Sequence, residues 1–125
     1  MRRIGACGTY GFSQGEKPIP HTHLQIEFEF ACTLDEYREL AQRAAPTIAG
    51  VPGLVSKLWI VDEDRRRAGG AYLFSDRSAA AAYLEGPIVA GLGKNPAFRH
   101  VTVRLFDVLS APSEITRGTA QGRAS

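Results

Sequence analysis

Hydrophobic and polar residues alternate without interruption between Thr22 and Ala31. The apolar positions are Leu24, Ile26, Phe28 and Phe30, and the polar positions are His23, Gln25, Glu27 and Glu29. Because successive side chains of a β-strand point to opposite faces, this pattern predicts a strand with one face on a core. The polar set then lies on the opposite face of the sheet.

A helix is predicted directly after this strand. Thr33 and Glu36 have the spacing of a capping box, in which each side chain accepts a hydrogen bond from the backbone of the other. Apolar residues then recur with the 3.6-residue period of an amphipathic helix as far as Ile48. Gly50 follows, at a position typical of a helix end.

The rest of the chain repeats this order of elements. The segment 54–62 is rich in strand formers, 62–67 is a polar turn, and 68–75 predicts the returning strand. Ser75 or Asp76 is the expected cap of a second helix, which we expect to end at Gly91 and Gly93. The last predicted strand covers 101–109.

The predicted order βαββαβ defines an α+β fold. It indicates a ferredoxin-like sandwich with an antiparallel four-stranded sheet and both helices on one face. The other face is bare unless a second molecule covers it, so we expect a homodimer.

Three regions are expected along the chain. Residues 1–20 are rich in glycine and proline and predict a flexible N-terminal arm. Residues 21–117 form the ferredoxin-like domain, and 118–125 predict a disordered tail.

Composition and charge exclude several classes of protein. The net charge is +2, the basic residues are scattered, and the run Arg65–Arg67 follows three acidic residues, which argues against a nucleic-acid partner. No apolar stretch approaches the ~20 residues that span a bilayer, so we expect no membrane partner. No apolar segment follows the N-terminal arginines, so we expect no secretory signal. Cys7 and Cys32 are far apart and form no metal or redox motif. The expected location is cytoplasmic.

Strand alternation also predicts where polar groups collect. If the apolar positions of every strand face the helices, the opposite face collects Gln25, Glu27, Lys57, Trp59, His100 and Arg104. Aromatic walls with a few polar groups are typical of a small-molecule pocket. A polar dimer interface with paired charges explains the same cluster equally well.

Two other sequence features are weaker signals. Gly69 and Gly70 lie inside a strand without a phosphate-loop pattern, and glycines at such positions permit a bulge or a close backbone approach. His21 and His23, with Glu27 on the same strand face, suggest a metal site. A pair of histidines alone is a weak signal, and solvent-exposed side chains are the alternative, so we expect no metal site.

Several segments together resemble one known family. They are Ala68-Gly69-Gly70-Ala71-Tyr72-Leu73-Phe74 with its Ser75-Asp76 cap, Ala82-Tyr83-Leu84-Glu85, Gly53-Leu54, Lys57-Leu58-Trp59 and Phe106-Asp107-Val108. These segments are similar to the YdhR-like monooxygenases of the dimeric α+β barrel superfamily. The resemblance implies two ferredoxin-like subunits that enclose a barrel. Related barrels oxidise anthrone-type polyketides without metal or flavin, while others degrade haem or cyclise and isomerise small molecules.

The resemblance implies a cofactor-independent monooxygenase that uses O₂ on a small aromatic or polyketide-like substrate. Such a reaction needs a general base and a group that stabilises the developing anion. His100 and Glu27 are the candidate bases, and Arg104 is the main candidate for anion stabilisation.

The same hypothesis assigns substrate contacts. Lys57 is a second anion stabiliser, Trp59 stacks on a planar substrate, and Gln25 completes the substrate-binding set. Tyr72 donates a hydrogen bond if it lies on the same face, but the sequence allows either face for this residue. Core packing is the alternative role for Trp59 and Tyr72. Two other functions fit the same cavity: a non-oxidative cyclase, isomerase or lyase, and a small-ligand-binding barrel without turnover.

Overall fold

A computed structural model describes residues 20–118. The predicted arm over 1–20 and tail over 118–125 lie outside the described residues, except for Pro20 and Gly118. In this part of the chain no helix is both long and apolar enough to cross a membrane. The elements, in chain order, are β1 (Thr22–Phe30), α1 (Leu34–Ala49), β2 (Leu54–Asp62), β3 (Arg67–Phe74), α2 (Arg77–Leu84), α3 (Pro87–Lys94), β4 (Phe98–Asp107) and α4 (Ser110–Ile115).

The four strands form one antiparallel sheet in the order β2-β3-β1-β4. This is the ferredoxin-like α+β arrangement, and the predicted fold class is confirmed. Strand β1 alternates as predicted: its apolar residues are buried toward the helices, and its polar residues between them are only partly buried. We call the sheet side that carries Gln25 and Glu27 the open face.

The first helix begins at the predicted capping box. The Glu36 backbone N–H donates to the Thr33 hydroxyl at 3.1 Å, and the Thr33 N–H donates to the Glu36 carboxylate at 2.9 Å. The two bonds satisfy backbone donors that the first helical turn leaves without partners. The helix ends at Gly50, as its sequence indicates.

The second helical segment differs from its prediction. Asp76 caps it by accepting a hydrogen bond from the Ala79 N–H at 2.8 Å, but the helix ends at Leu84 and a separate helix begins at Pro87. Proline fits the first turn of a helix because the missing N–H would have no partner there. The expectation that one helix ends at Gly91 and Gly93 was therefore wrong, because both glycines lie inside α3.

Two register shifts interrupt the sheet. One lies in β2, where the pairing with β3 shifts between Leu54 and Ser56. The other lies in β4, where the pairing with β1 shifts between Glu27 and Glu29. It is near His100, whose φ is +56°. A bulge adds one residue to one strand and so exchanges the faces of the residues that follow it.

Gly69 marks the close approach between two central strands. A Cβ at Gly69 would lie 2.0 Å from the carbonyl oxygen of Ile26 and 3.0 Å from the Cα of Glu27. These atoms belong to the backbone of β1 and cannot move aside as a flexible side chain does. The glycine is therefore required by the pairing of β1 with β3.

We expect Gly69→Ala to lower the free energy of unfolding by about 1–3 kcal/mol or more, because the new methyl group overpacks the sheet. Urea unfolding followed by circular dichroism measures the change. Gly93→Ala is the matched control, since a Cβ at Gly93 has no atom within 4 Å. That helical substitution should stabilise the protein by about 0.5–1 kcal/mol. Equal midpoints for Gly69→Ala and the native protein would contradict the steric argument.

Candidate active site

A cavity of about 210 Å³ lies between the sheet and helices α1, α2 and α3. Its lining is mostly apolar and aromatic, with Phe28 and Phe98 from the strands and Leu92 from α3. Among its lining residues in the described part of the chain, Lys57 is the only one with a charged side chain. An apolar cavity with few polar groups has the character of a small-molecule site.

Lys57 lies against two aromatic rings in this cavity. Its Nζ is 3.2 Å from the centroid of the Trp59 ring and 4.5 Å from that of the Tyr72 ring. Gly70 provides the necessary room, because a Cβ there would lie 2.6 Å from Cε of Lys57 and 2.8 Å from Cε1 of Tyr72. The absence of a side chain at this position lets the lysine and the tyrosine lie side by side.

The Lys57 amine has no carboxylate partner within residues 20–118. Aromatic faces attract its ammonium form. Burial disfavours that form more strongly and lowers the pKa of Lys57 to about 7. Both protonation states are therefore populated near neutral pH, which suits a group that must accept and return a proton.

Among the described residues, three tyrosines supply hydroxyl groups to the cavity. The hydroxyls of Tyr72 and Tyr83 share a hydrogen bond of 3.1 Å that joins the sheet to α2. Burial raises the pKa of both phenols, and it raises the pKa of Tyr37 to about 12. All three hydroxyls therefore keep their protons near neutral pH and can act as hydrogen-bond donors.

The other predicted site residues lie outside this cavity. Gln25 pairs with Arg104 across β1 and β4, and Glu27 lies two residues further along the same open face. His100 lies at the edge strand, where its Nδ1 is 3.0 Å from Oε1 of Glu29 and its side chain is 71% exposed. The structure thus divides the predicted residues into two groups on opposite sides of the sheet.

Hydrogen bonds compensate the charges of the open face. Gln25 Nε2 donates to Glu27 at 3.1 Å and Arg67 Nη2 donates to it at 3.2 Å. Both bonds lower the pKa of Glu27, and the bond from Gln25 has the larger effect. The hydrogen bond with His100 lowers the pKa of Glu29. A lowered pKa makes a carboxylate a weaker base near neutral pH.

The prediction that Lys57 and Trp59 share a face with Gln25 was wrong. Lys57 pairs with Tyr72, and Tyr72 pairs with the fully buried Leu24, so all three point toward the helices. The same pairings settle the orientation of Tyr72, for which the sequence left both faces open.

The register shift between Leu54 and Ser56 is the reason that Lys57 and Trp59 point toward the helices. It adds one residue to β2 and so reverses the faces of the residues that follow. Leu58 and Ile60, which the alternation placed in the core, consequently lie on the open face. Leu58 is 68% exposed there.

Several cavity residues were not predicted as part of a site. Tyr37 and Tyr83 carried a usable signal, since both occupy the apolar stripe of a predicted helix, but that signal indicated only core packing. Asn95 lines the cavity from the end of α3. No sequence pattern distinguishes it from an ordinary helix-end residue.

Solved structures with this architecture include three that are 17–20% identical to the chain. SnoaB from Streptomyces nogalater, a cofactor-independent oxygenase, has a TM-score of 0.60 at 17% identity over 74% of this chain and 96% of its own. The NE2512 protein of unknown function from Nitrosomonas europaea has a TM-score of 0.59 at 20% identity over 76% and 95%. A variant of MhuD, the heme-degrader of Mycobacterium tuberculosis, has a TM-score of 0.56 at 18% identity over 72% and 95%.

At these identities the similarity shows the ferredoxin-like α+β fold. Residues 23–119 match the family model described as "Putative mono-oxygenase ydhR". The match covers well over half of the 125 residues, and the chain belongs to this family. The resemblance seen in the sequence is thus confirmed, while no functionally curated protein matches the chain significantly.

We expect Lys57→Met to stabilise the protein most at pH 7 and below. Between the folded pKa of about 7 and the ordinary value of 10.5, the unfolded chain binds a proton that the folded protein lacks. The native protein therefore gains stability as the pH rises through this window, and the advantage of the variant shrinks. Urea unfolding of both proteins at several pH values measures the difference.

Lys94→Met is the control, because it makes the same substitution at an exposed lysine near the end of α3. A difference between Lys57→Met and the native protein that stays constant from pH 7 to 10.5 would contradict a desolvated amine at Lys57.

Proposed function

We propose that the protein is a cofactor-independent monooxygenase that uses O₂ to oxidise a small, acidic aromatic compound in the cavity between sheet and helices. The observation that carries the proposal is the amine of Lys57, which has no carboxylate partner within residues 20–118 and lies in an otherwise apolar and aromatic cavity. Membership of a family described as mono-oxygenases and the fold shared with SnoaB support the reaction class.

Lys57 would act first as a general base. A neutral amine beside a bound phenol removes its proton, and the resulting ammonium pairs with the phenolate. The pair forms in an apolar environment, where the attraction between opposite charges is stronger than in water. The lysine thus supplies both the base and the charge stabilisation that the predicted mechanism requires.

The substrate itself would supply the electrons. The deprotonated ring transfers one electron to O₂, and recombination of the two radicals forms a carbon–oxygen bond and a hydroperoxide. Loss of water from the hydroperoxide leaves a carbonyl group. For 1-naphthol, the balance is naphthol plus O₂ giving naphthoquinone plus water, so no external reductant is needed.

The cavity volume limits the size of the substrate. An apolar cavity of roughly 150 Å³ holds a benzene molecule. The cavity of this protein, about 210 Å³, therefore fits one or two rings better than a tricyclic polyketide or a porphyrin. Trp59, which is 37% exposed, lies where a planar ring could stack as it enters.

We further propose that the open face is the contact surface of a homodimer. Leu58 and Phe106 are exposed on it, and the paired charges of Glu27 and Arg67 lie on the same face. A charged group that becomes buried at an interface needs a partner of opposite charge, and Glu27 and Arg67 already form such a pair. The catalytic roles first predicted for His100, Glu27 and Arg104 remain predictions, and they would require this face to enclose a second site.

Oxygen uptake with 1-naphthol tests the function. We expect enzyme-dependent uptake matched by naphthoquinone formation, rising with pH through the pKa of Lys57 at about 7. Lys57→Met should reduce the rate by about 100-fold or more, the usual contribution of a general base. Anthrone, with three rings, should react more slowly.

His100→Ala and Arg104→Ala are the matched controls from the open face, and both should keep most of the activity. Loss of activity in these two variants, with full activity in Lys57→Met, would instead support a site on the open face. Conversion of the substrate without O₂ would indicate the cyclase, isomerase or lyase alternative. Binding without conversion would indicate a ligand-binding barrel.

A further inference from the structure

The amine of Lys57 has a second chemical capacity besides proton transfer. A lysine in an apolar pocket is a nucleophile toward carbonyl groups, because loss of hydration favours the neutral amine that attacks. The structure places this amine at a cavity of about 210 Å³ rather than in closed packing, so a ligand can reach it. Oxygenation does not use this capacity.

We propose that Lys57 forms an imine with small aromatic aldehydes and ketones that bind in the cavity between the sheet and helices α1, α2 and α3. The site would therefore hold carbonyl compounds covalently and reversibly. This inference goes beyond the proposed oxygenation and does not depend on it.

The aromatic surroundings of Nζ favour aromatic carbonyl compounds. The rings of Trp59 and Tyr72 lie 3.2 and 4.5 Å from the nitrogen, measured to their centroids, and provide faces against which a ligand ring can stack. Gly70 leaves open the space beside the lysine stem, where any side chain would collide with it. A carbonyl carbon attached to a stacked ring would then lie close to Nζ.

The charged and titratable groups around the amine also favour the neutral form. Apart from Lys57 itself, the titratable side chains that line the cavity in the described part of the chain are three phenols. They belong to Tyr37 on α1, Tyr72 on β3 and Tyr83 on α2. Burial raises the pKa of each, so none carries a negative charge that would keep the lysine protonated. Within residues 20–118, no carboxylate lines the cavity.

The covalent step balances without any further reactant. The lone pair of Nζ forms a bond to the carbonyl carbon while the carbon–oxygen π bond breaks and the oxygen takes a proton. The nitrogen then loses its protons as the hydroxyl leaves, so one water molecule is released for each imine formed. A tyrosine hydroxyl of the cavity can donate the proton that the leaving oxygen needs.

Reductive trapping tests the proposal on the full chain. The native protein is treated with benzaldehyde and sodium cyanoborohydride without oxygen at neutral pH, and peptide mass spectrometry measures the modification of each lysine. The exposed Lys94 serves as an internal reference. We expect benzaldehyde to modify Lys57 at least about tenfold faster than Lys94, since a desolvated amine is the better nucleophile.

Formaldehyde with the same reductant measures the accessibility of each amine without selection by an aromatic site. We expect a smaller preference for Lys57 with formaldehyde than with benzaldehyde. Excess toluene, which has the ring but no carbonyl group, should protect Lys57 from benzaldehyde and leave Lys94 unaffected. Gly70→Ala, checked for folding by circular dichroism, should also lower the preference because the new methyl group displaces the lysine stem.

Two results would overturn the proposal. One is equal modification of Lys57 and Lys94 by benzaldehyde, and the other is modification of Lys57 that toluene does not slow. Because the assay excludes oxygen, trapping at Lys57 in a protein that fails to oxidise 1-naphthol would refute the proposed oxygenation and leave the carbonyl site supported.

Discussion

Lys57 can lie beside Tyr72 only because β2 gains one residue against β3 between Leu54 and Ser56. That extra residue turns the lysine and Trp59 toward the helices and gives the cavity its amine. Gly70, directly opposite Trp59 in the register, removes the side chain that would otherwise fill the same space. A local backbone irregularity and one missing side chain together determine the chemistry of the cavity.

The two faces of the sheet differ in how their charges are compensated. On the open face, Arg67 contacts Glu27 and Glu29, and His100 contacts Glu29 as well. Each of these carboxylates already has a partner and is held in its ionised form. In the cavity, the described residues give Lys57 aromatic faces but no counter-ion. An uncompensated, desolvated group in a cavity is a stronger indication of function than a paired surface network.

Local signals predicted most of the fold. The alternation in β1 and the capping box of Thr33 and Glu36 each involve only neighbouring residues, so a single sequence specifies them. Neighbouring residues alone could not predict on which side of the sheet Lys57 lies. The segment 54–61 has apolar residues in both alternating sets, and either register therefore buries an acceptable strand face. Only pairing with the whole of β3 selects between them.

Trp59 is the single tryptophan of the chain, and it lies at the cavity with a lysine nitrogen 3.2 Å from its ring centroid. Indole emission responds to charge and polarity next to the ring. A ligand that stacks on Trp59, or a change in the protonation of its neighbour, therefore alters the only indole signal that the protein gives. The molecule carries an intrinsic optical probe at the place where its chemistry is proposed, and no second indole obscures it.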